Sequence, residues 1–221
     1  MGETEVGRDL LEDVIEGLPE GHPERNATRL DLAMAGADER EIAPLRVELE
    51  ALRDEVEKAE PSNEGLLAAI DASLGWACCE LGDLEAARPL QEDALGRLRD
   101  RLPDSHPDVH RARLNLAWTL IRLDRPRPAA RQVRDTVNGI ESRLRQTGAG
   151  RGTRELEALA VQSSRSLGEV LSILSTASDP EWREPLERDV FALVESVRNV
   201  SADRRRLTGA AARASADLQP W

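Results

Sequence analysis

Apolar positions along the chain recur with the spacing of helices, and the helices themselves recur with a 42-residue period. Trp76 and Trp118 stand one period apart, and the small residues Ala87 and Ala129 keep the same spacing. Around them the apolar residues follow the three- and four-residue steps of an amphipathic helix. The pattern predicts helices at 63–80, 83–101, 107–123 and 126–146, joined in pairs by tight turns.

A sequence motif that occurs twice with some substitutions extends this register towards the N-terminus. The sequence LPEGHPERNATRLDLA begins at Leu18, and LPDSHPDVHRARLNLA begins at Leu102, which is two full periods later. A fourth, weaker copy begins at Ser166. Because neither helix of a pair can bury its apolar face alone, stacked pairs share one core. We therefore predict one helical domain over 1–221, with repeats at 19–60, 61–102, 103–146 and 154–199.

The ends of the chain depart from the repeat. Residues 1–18 align with the second helix of a repeat whose first helix is missing, so Leu10, Leu11, Val14 and Ile15 need cover from elsewhere. Exposed apolar patches tend to be association sites, which predicts self-association or partner docking at this end. Gly-rich sequence predicts a flexible loop at 147–153, and an Ala-rich stretch predicts a capping helix and tail at 200–221.

The repeat resembles a known family. Asn/Ser-Leu-Ala/Gly in the first helix, followed by Leu-Gly-Asp-Leu-Glu-Ala-Ala at 81–87, is similar to a tetratricopeptide repeat. The 42-residue spacing and Leu-Pro-Asp-Ser-His-Pro-Asp at 102–108 resemble the longer kinesin-light-chain subtype, which is abundant in regulatory proteins of high-GC bacteria. The resemblance implies an all-α fold, a right-handed α-solenoid of stacked helix-turn-helix repeats. It is weaker in the first repeat, where the place of Ala87 falls to Leu45, or to Ala43 if a small gap is allowed.

Composition supports the helical fold and narrows the classes of partner. Leu, Ala, Glu and Arg, all good helix formers, dominate, and only 2% of the residues are aromatic. The formal net charge of −12 argues against general nucleic-acid binding, which needs a basic surface. No stretch approaches the ~18 apolar residues of a membrane span, and the acidic start lacks the apolar run of a signal peptide. We therefore expect a cytoplasmic protein that binds neither nucleic acid nor membrane.

Few residues in the sequence are candidates for a metal site or for catalysis. His106 and His110 have the i, i+4 spacing of helical metal ligands, but His106 repeats His22 before a helix, which favours a local hydrogen-bonding role. Cys78 and Cys79 fall in apolar register, which favours small core residues over nucleophiles. We therefore predict no metal, no cofactor and no enzymatic activity.

The resemblance places a binding site on the first helices of the repeats, which line the concave groove in this family. It implies a protein-protein interaction scaffold that binds a peptide or helix of a partner with an apolar anchor and nearby acidic residues. The alternatives are a regulatory sensor for a small ligand or signalling peptide, and an enzyme built on a helical solenoid. Trp76 and Trp118 can face the groove or fill the seam between helices, and the sequence leaves both readings open. The implied groove residues are Met34, Ser73, Trp76, Arg111, Asn115, Trp118, Arg122, Arg165 and Glu169.

Overall fold

A computed structural model shows the chain as a series of helices joined by short turns. It describes residues 2–20, 22, 24–35, 37 and 41–147, together with 168, 170, 172, 173, 175, 183, 184, 187, 188 and 191. The seven helices bounded within these residues are α1 (Gly2–Gly17), α2 (Arg25–Met34), α3 (Ile42–Ala59), α4 (Glu64–Glu80), α5 (Leu84–Arg101), α6 (Pro107–Arg122) and α7 (Pro126–Thr147). No helix among the described residues is long and apolar enough to cross a membrane.

The repeat register holds for the second helix of each pair. Helices α3, α5 and α7 begin at Ile42, Leu84 and Pro126, so each begins one full period after the last. The first repeat therefore follows the others without a gap, and Leu45 stands where α5 has Ala87 and α7 has Ala129. All three side chains are fully buried. The four helices predicted at 63–80, 83–101, 107–123 and 126–146 are confirmed as α4 to α7.

The turns within the second and third pairs share one backbone design. Gly82 and Asp124, one period apart, both have positive φ angles, of 81° and 56°. The amide of Asp83 donates to the Cys78 carbonyl at 2.9 Å, and the amide of Arg125 donates to the Leu120 carbonyl at 2.8 Å. These bonds close the helix ends as Schellman motifs, in which the left-handed residue turns the chain back.

The chain divides into two compact units, Met1–Leu102 and Pro103–Trp221. In the first unit α1 packs on α2, α2 on α3, and α4 packs against both α3 and α5. In the second unit α6 packs on α7. The assignment of 1–221 to one domain stays a prediction. The predicted capping helix at 200–221 lies outside the described residues, as does the predicted loop at 147–153 beyond Thr147.

The first unit buries an aliphatic core made mainly by α3 and α4. Leu45, Leu49, Leu52 and Val56 repeat every three or four residues along α3 and are at most 2% exposed. Helix α4 is buried around most of its circumference because it lies between two neighbours. Gly75 permits close contact with α5, since a Cβ atom there would stand 2.7 Å from Cγ of Gln91 and 3.3 Å from the Ala87 carbonyl oxygen.

At equivalent positions, the first two pairs of helices are joined by ion pairs in which the acidic and basic residues have exchanged helices. In the first pair Arg29 of α2 meets Glu55 of α3 at 2.8 Å. One period further on, the acid lies on the first helix, and Asp71 of α4 stands 3.6 Å from Arg97 of α5. Asp71 is fully buried and also accepts a hydrogen bond from Nε of Arg53 at 2.6 Å.

Candidate functional site

Helix α6 carries a cleft of about 180 Å³ on its partly open face. The described residues that line it are Leu114, Asn115, Trp118, Ser172 and Ile173. Leu114 and Ile173 are each 3% exposed and form apolar walls, whereas Asn115 and Trp118 are partly exposed. The described lining therefore joins apolar walls to the Asn115 side-chain amide, which can both donate and accept hydrogen bonds.

The start of α6 is fixed by the repeated histidine. The Nδ1 atom of His106 accepts a hydrogen bond from the Asp108 amide at 3.2 Å, and Pro107 occupies the first turn. His22 does the same in the first unit, where its Nδ1 atom accepts from the Glu24 amide at 3.2 Å. The predicted local hydrogen-bonding role of both histidines is confirmed.

Four of the predicted groove residues share one face of α6. Arg111, Asn115, Trp118 and Arg122 are spaced at i, i+4, i+7 and i+11, which places them along one side of a helix. Both arginines are exposed. The Arg111 side chain is 71% exposed and pairs with Asp108 at 2.8 Å, an exposed contact of the kind that adds little stability. The face thus combines an apolar cleft with cationic groups at both ends of the row.

In the first unit, the structure places three further predicted residues on two helices. Ser73 and Trp76 lie on α4, three residues apart, and both are partly exposed. Met34 ends α2 and is also partly exposed. Arg165 and Glu169 lie outside the described residues.

A buried cluster beside α7 was not predicted from the sequence. His110 is 3% exposed and lies against Gly139, where an added Cβ would stand 2.5 Å from the histidine Nε2 atom and 2.7 Å from the Asp104 carbonyl oxygen. Arg113 is also buried, and its Nη2 donates to Oδ1 of Asp104 at 2.6 Å. Burial lowers the pKa of His110 to about 4, and the charge of Arg113 acts in the same direction. The cluster ties the turn before α6 to α7. Its one sequence signal is the glycine in mid-helix.

The remaining chemical candidates are core residues. Cys78 and Cys79 are 1% and 2% exposed, so the prediction that they are small core residues is confirmed. Burial raises the pKa of the Cys78 thiol, which keeps it protonated and poorly nucleophilic. Among the described residues, no three His, Cys, Asp or Glu side chains are grouped so that they could hold a metal ion.

Comparisons with known proteins identify the fold. No protein-family model matches the chain, and no curated protein matches it. A point variant of a Podosopora anserina protein described as a putative kinesin light chain with nearly identical TPR-like repeats gives a TM-score of 0.55 at 20% identity, over 93% of this chain and 90% of that chain. A second crystal structure of that protein gives 0.53 with the same identity and coverage. The structure of BtubC (BKLC) from P. vanneervenii gives 0.52 at 14% identity, over 100% of this chain and 95% of that chain.

These similarities show the fold alone. The neighbours are TPR-like repeat proteins, and they match most of the chain. The prediction of an all-α, tetratricopeptide-like repeat fold is confirmed.

Proposed function

From this TPR-like fold, whose extended surfaces generally serve protein-protein interaction, we propose that the chain is a scaffold that binds a peptide or helix of a partner protein through the α6 face. The observation that carries the proposal is the cleft at Asn115 and Trp118. A bulky apolar side chain of the partner would enter the cleft against Trp118, Leu114 and Ile173. The Asn115 amide would hydrogen-bond the partner's backbone.

The size of the cleft favours a peptide anchor over a small-molecule site. Pockets for small ligands typically enclose about 300–1,000 Å³, whereas this cleft measures about 180 Å³. That volume suits one bulky side chain, while the rest of a bound segment would lie along the helix face. The small volume favours a peptide-binding scaffold over a small-ligand sensor. The two cysteines are buried and His110 is buried and neutral, so these residues are poor candidates for catalytic groups.

Charge on the same face defines the partner further. Arg111 and Arg122 each lie about one turn from a cleft residue, and both are exposed. Complementary acidic residues beside the apolar anchor would steer the partner and fix its register. Met34, Ser73 and Trp76 are proposed as the equivalent surface of the first unit. Arg165 and Glu169 belong to the proposal through the repeat register alone.

Substitution of Trp118 tests whether it belongs to a binding face or to the core. If it binds a partner, Trp118→Ala should weaken binding by about 2 kcal/mol or more with little change in stability. Peptides selected on the wild-type chain from a displayed random library should carry an apolar residue beside Asp or Glu. The same peptides should then be titrated against Trp118→Ala, Asn115→Ala and the control Leu81→Ala, which alters an exposed leucine in a turn of the first unit.

Thermal and urea unfolding of the same variants gives the opposing outcome. If Trp118 fills a seam, its removal should open a cavity and lower the free energy of unfolding by about 3–5 kcal/mol. Such a loss, or selected peptides that bind Trp118→Ala as well as wild type, would place the site elsewhere.

A second contact surface is proposed on α1, for another copy of the chain or for another protein. The sequence predicts it at Leu10, Leu11, Val14 and Ile15. Leu10 and Val14 are 60% and 48% exposed, which supports the proposal, whereas Leu11 and Ile15 are half-buried. Another copy of the chain and a different partner protein would bring different charges to this surface.

A further inference from the structure

We propose that the exposed apolar side of α1 docks a basic amphipathic helix of a partner protein. The inference rests on the second surface proposed above and names its occupant. It does not depend on the α6 cleft.

Several contacts hold α1 in a defined position on α2. Leu11 and Ile15 are half-buried on the side towards the rest of the unit. Arg8 donates through Nη1 to the Ala35 carbonyl at 3.1 Å, and Arg25 donates through Nη1 to the Ile15 carbonyl at 3.0 Å. One side of α1 is thus docked, whereas Val6, Leu10 and Val14 on the adjoining face are exposed.

The open side carries an apolar stripe. Val6, Leu10 and Val14 lie four residues apart on one face and are each about half exposed or more. Leu10 and Val14 occupy the register positions of Leu52 and Val56 in α3, which are 2% and 0% exposed. The same positions are thus covered in one helix and open in the other.

Charges beside the stripe decide between the two kinds of occupant. Asp9 and Asp13 follow Val6 and Leu10 by three residues, and both are exposed, as are Glu12 and Glu16 further around the helix. Arg8 does not offset them on this side, because its guanidinium bonds the Ala35 carbonyl. A second α1 would bring carboxylates against carboxylates, which opposes symmetric self-association. A helix with an apolar stripe edged by Arg or Lys matches both features.

The repeat supplies the expected pose. Helices joined by a short turn pack antiparallel, as α4 and α5 do. A partner helix that packs on α1 in the same way should therefore lie antiparallel to α1. Its apolar side chains should meet Val6, Leu10 and Val14, and its basic edge should meet Asp9 and Asp13.

The test uses the full chain and a labelled synthetic peptide of about 18 residues, which spans the length of α1 as a helix. The peptide carries Leu along one helical face and Arg along the adjoining edge, and binding is followed by fluorescence anisotropy. We expect saturable binding that Leu10→Gln/Val14→Gln weakens at least about tenfold. Val47→Gln, which alters an equally exposed valine on α3, should leave the affinity unchanged. Asp9→Asn/Asp13→Asn should reduce its salt dependence.

Further measurements distinguish this proposal from the alternatives. A peptide with Glu in place of Arg should bind at least about tenfold more weakly. Trp118→Ala should leave the basic peptide's affinity unchanged, so failure at one surface is distinguishable from failure at the other. If the basic peptide binds Leu10→Gln/Val14→Gln as tightly as it binds the wild-type chain, the proposal is wrong. A dimer in light scattering that the same substitutions dissolve also overturns it and assigns the surface to a second copy.

Discussion

At the scale of single residues, a repeated position does not imply a repeated role. His22 and His106 are two periods apart and accept equivalent hydrogen bonds before α2 and α6, as their repetition indicates. His110 takes the register position of Asn26, and both are buried. Asn26 donates to Glu60 at 3.0 Å, whereas His110 lies beside Arg113 and is held neutral. The sequence could suggest the first role but not the second, because the second depends on which helices close over the ring.

His110 should make stability depend on pH. Its folded-state pKa is about 4, below the ordinary value of about 6.5 for an unfolded histidine. The contribution is therefore fully present above pH 6.5 and is lost as the pH falls through 4. A shift of this size corresponds to about 3 kcal/mol. Urea unfolding at pH 7 and at pH 4.5 should show a larger loss for wild type than for His110→Asn, which carries the residue of the first repeat.

Groups around the ring set the controls for this experiment. Arg113, Arg143 and His106 act on His110 from nearby and remain in both proteins. The difference between wild type and variant therefore reports on His110 itself. An identical pH dependence in the two proteins would show that His110 is not held neutral by the fold.

At the scale of helices, the sequence predicted the elements and missed the tightness of one contact. The helices α4 to α7 begin and end within one or two residues of their predicted bounds because apolar spacing and turn residues agree there. The first repeat was ambiguous by a small gap because Leu45 replaces a small residue, and the structure resolves it as ungapped. The close approach of α6 and α7 at Gly139 could not be predicted, since a helical glycine is equally compatible with an open surface.

Two helical glycines should respond oppositely to alanine. Gly139→Ala would drive a Cβ to 2.5 Å from His110 and 2.7 Å from the Asp104 carbonyl. We expect it to destabilise the protein by about 1–3 kcal/mol, because α6 and α7 must move apart. Gly96→Ala on α5 meets nothing within 4 Å and should stabilise by up to about 1 kcal/mol through helix propensity. Chemical unfolding of both variants measures the contrast, and equal effects would refute the tight contact.

At the scale of the whole molecule, charge is divided unevenly between the two units. Met1–Leu102 contains 26 acidic and 11 basic residues, a net charge of −15, whereas Pro103–Trp221 contains 16 acidic and 19 basic residues, a net charge of +3. The overall value of −12 conceals this division.

The fold was easier to predict from the sequence than the binding site. Repetition reveals shared packing, whereas the proposed binding surface depends on residues that differ between repeats, such as Asn115 against Ser73.

The acidic unit should make stability rise with salt. Like charges on the first unit repel one another and oppose the compact state. Their range falls from about 30 Å at 10 mM salt to about 10 Å at 100 mM. Calorimetry should therefore show a higher Tm at 100 mM NaCl, by about 2–4 °C for each kcal/mol gained. Glu85→Gln/Asp93→Asn on the exposed side of α5 should reduce the response. A fall in Tm would mean that the exposed ion pairs outweigh the repulsion.

The reversed ion pairs at equivalent positions also bear on how similar helices find the right neighbours as the chain folds. Repeats of similar sequence offer several wrong pairings with nearly the same apolar fit. If α2 paired with α5, Arg29 would meet Arg97, and if α4 took the place of α2 against α3, Asp71 would meet Glu55. Each error brings like charges together between packed helices, which disfavours the wrong pairing. The reversed polarity therefore favours the pairing of α2 with α3 and of α4 with α5 over these two exchanges.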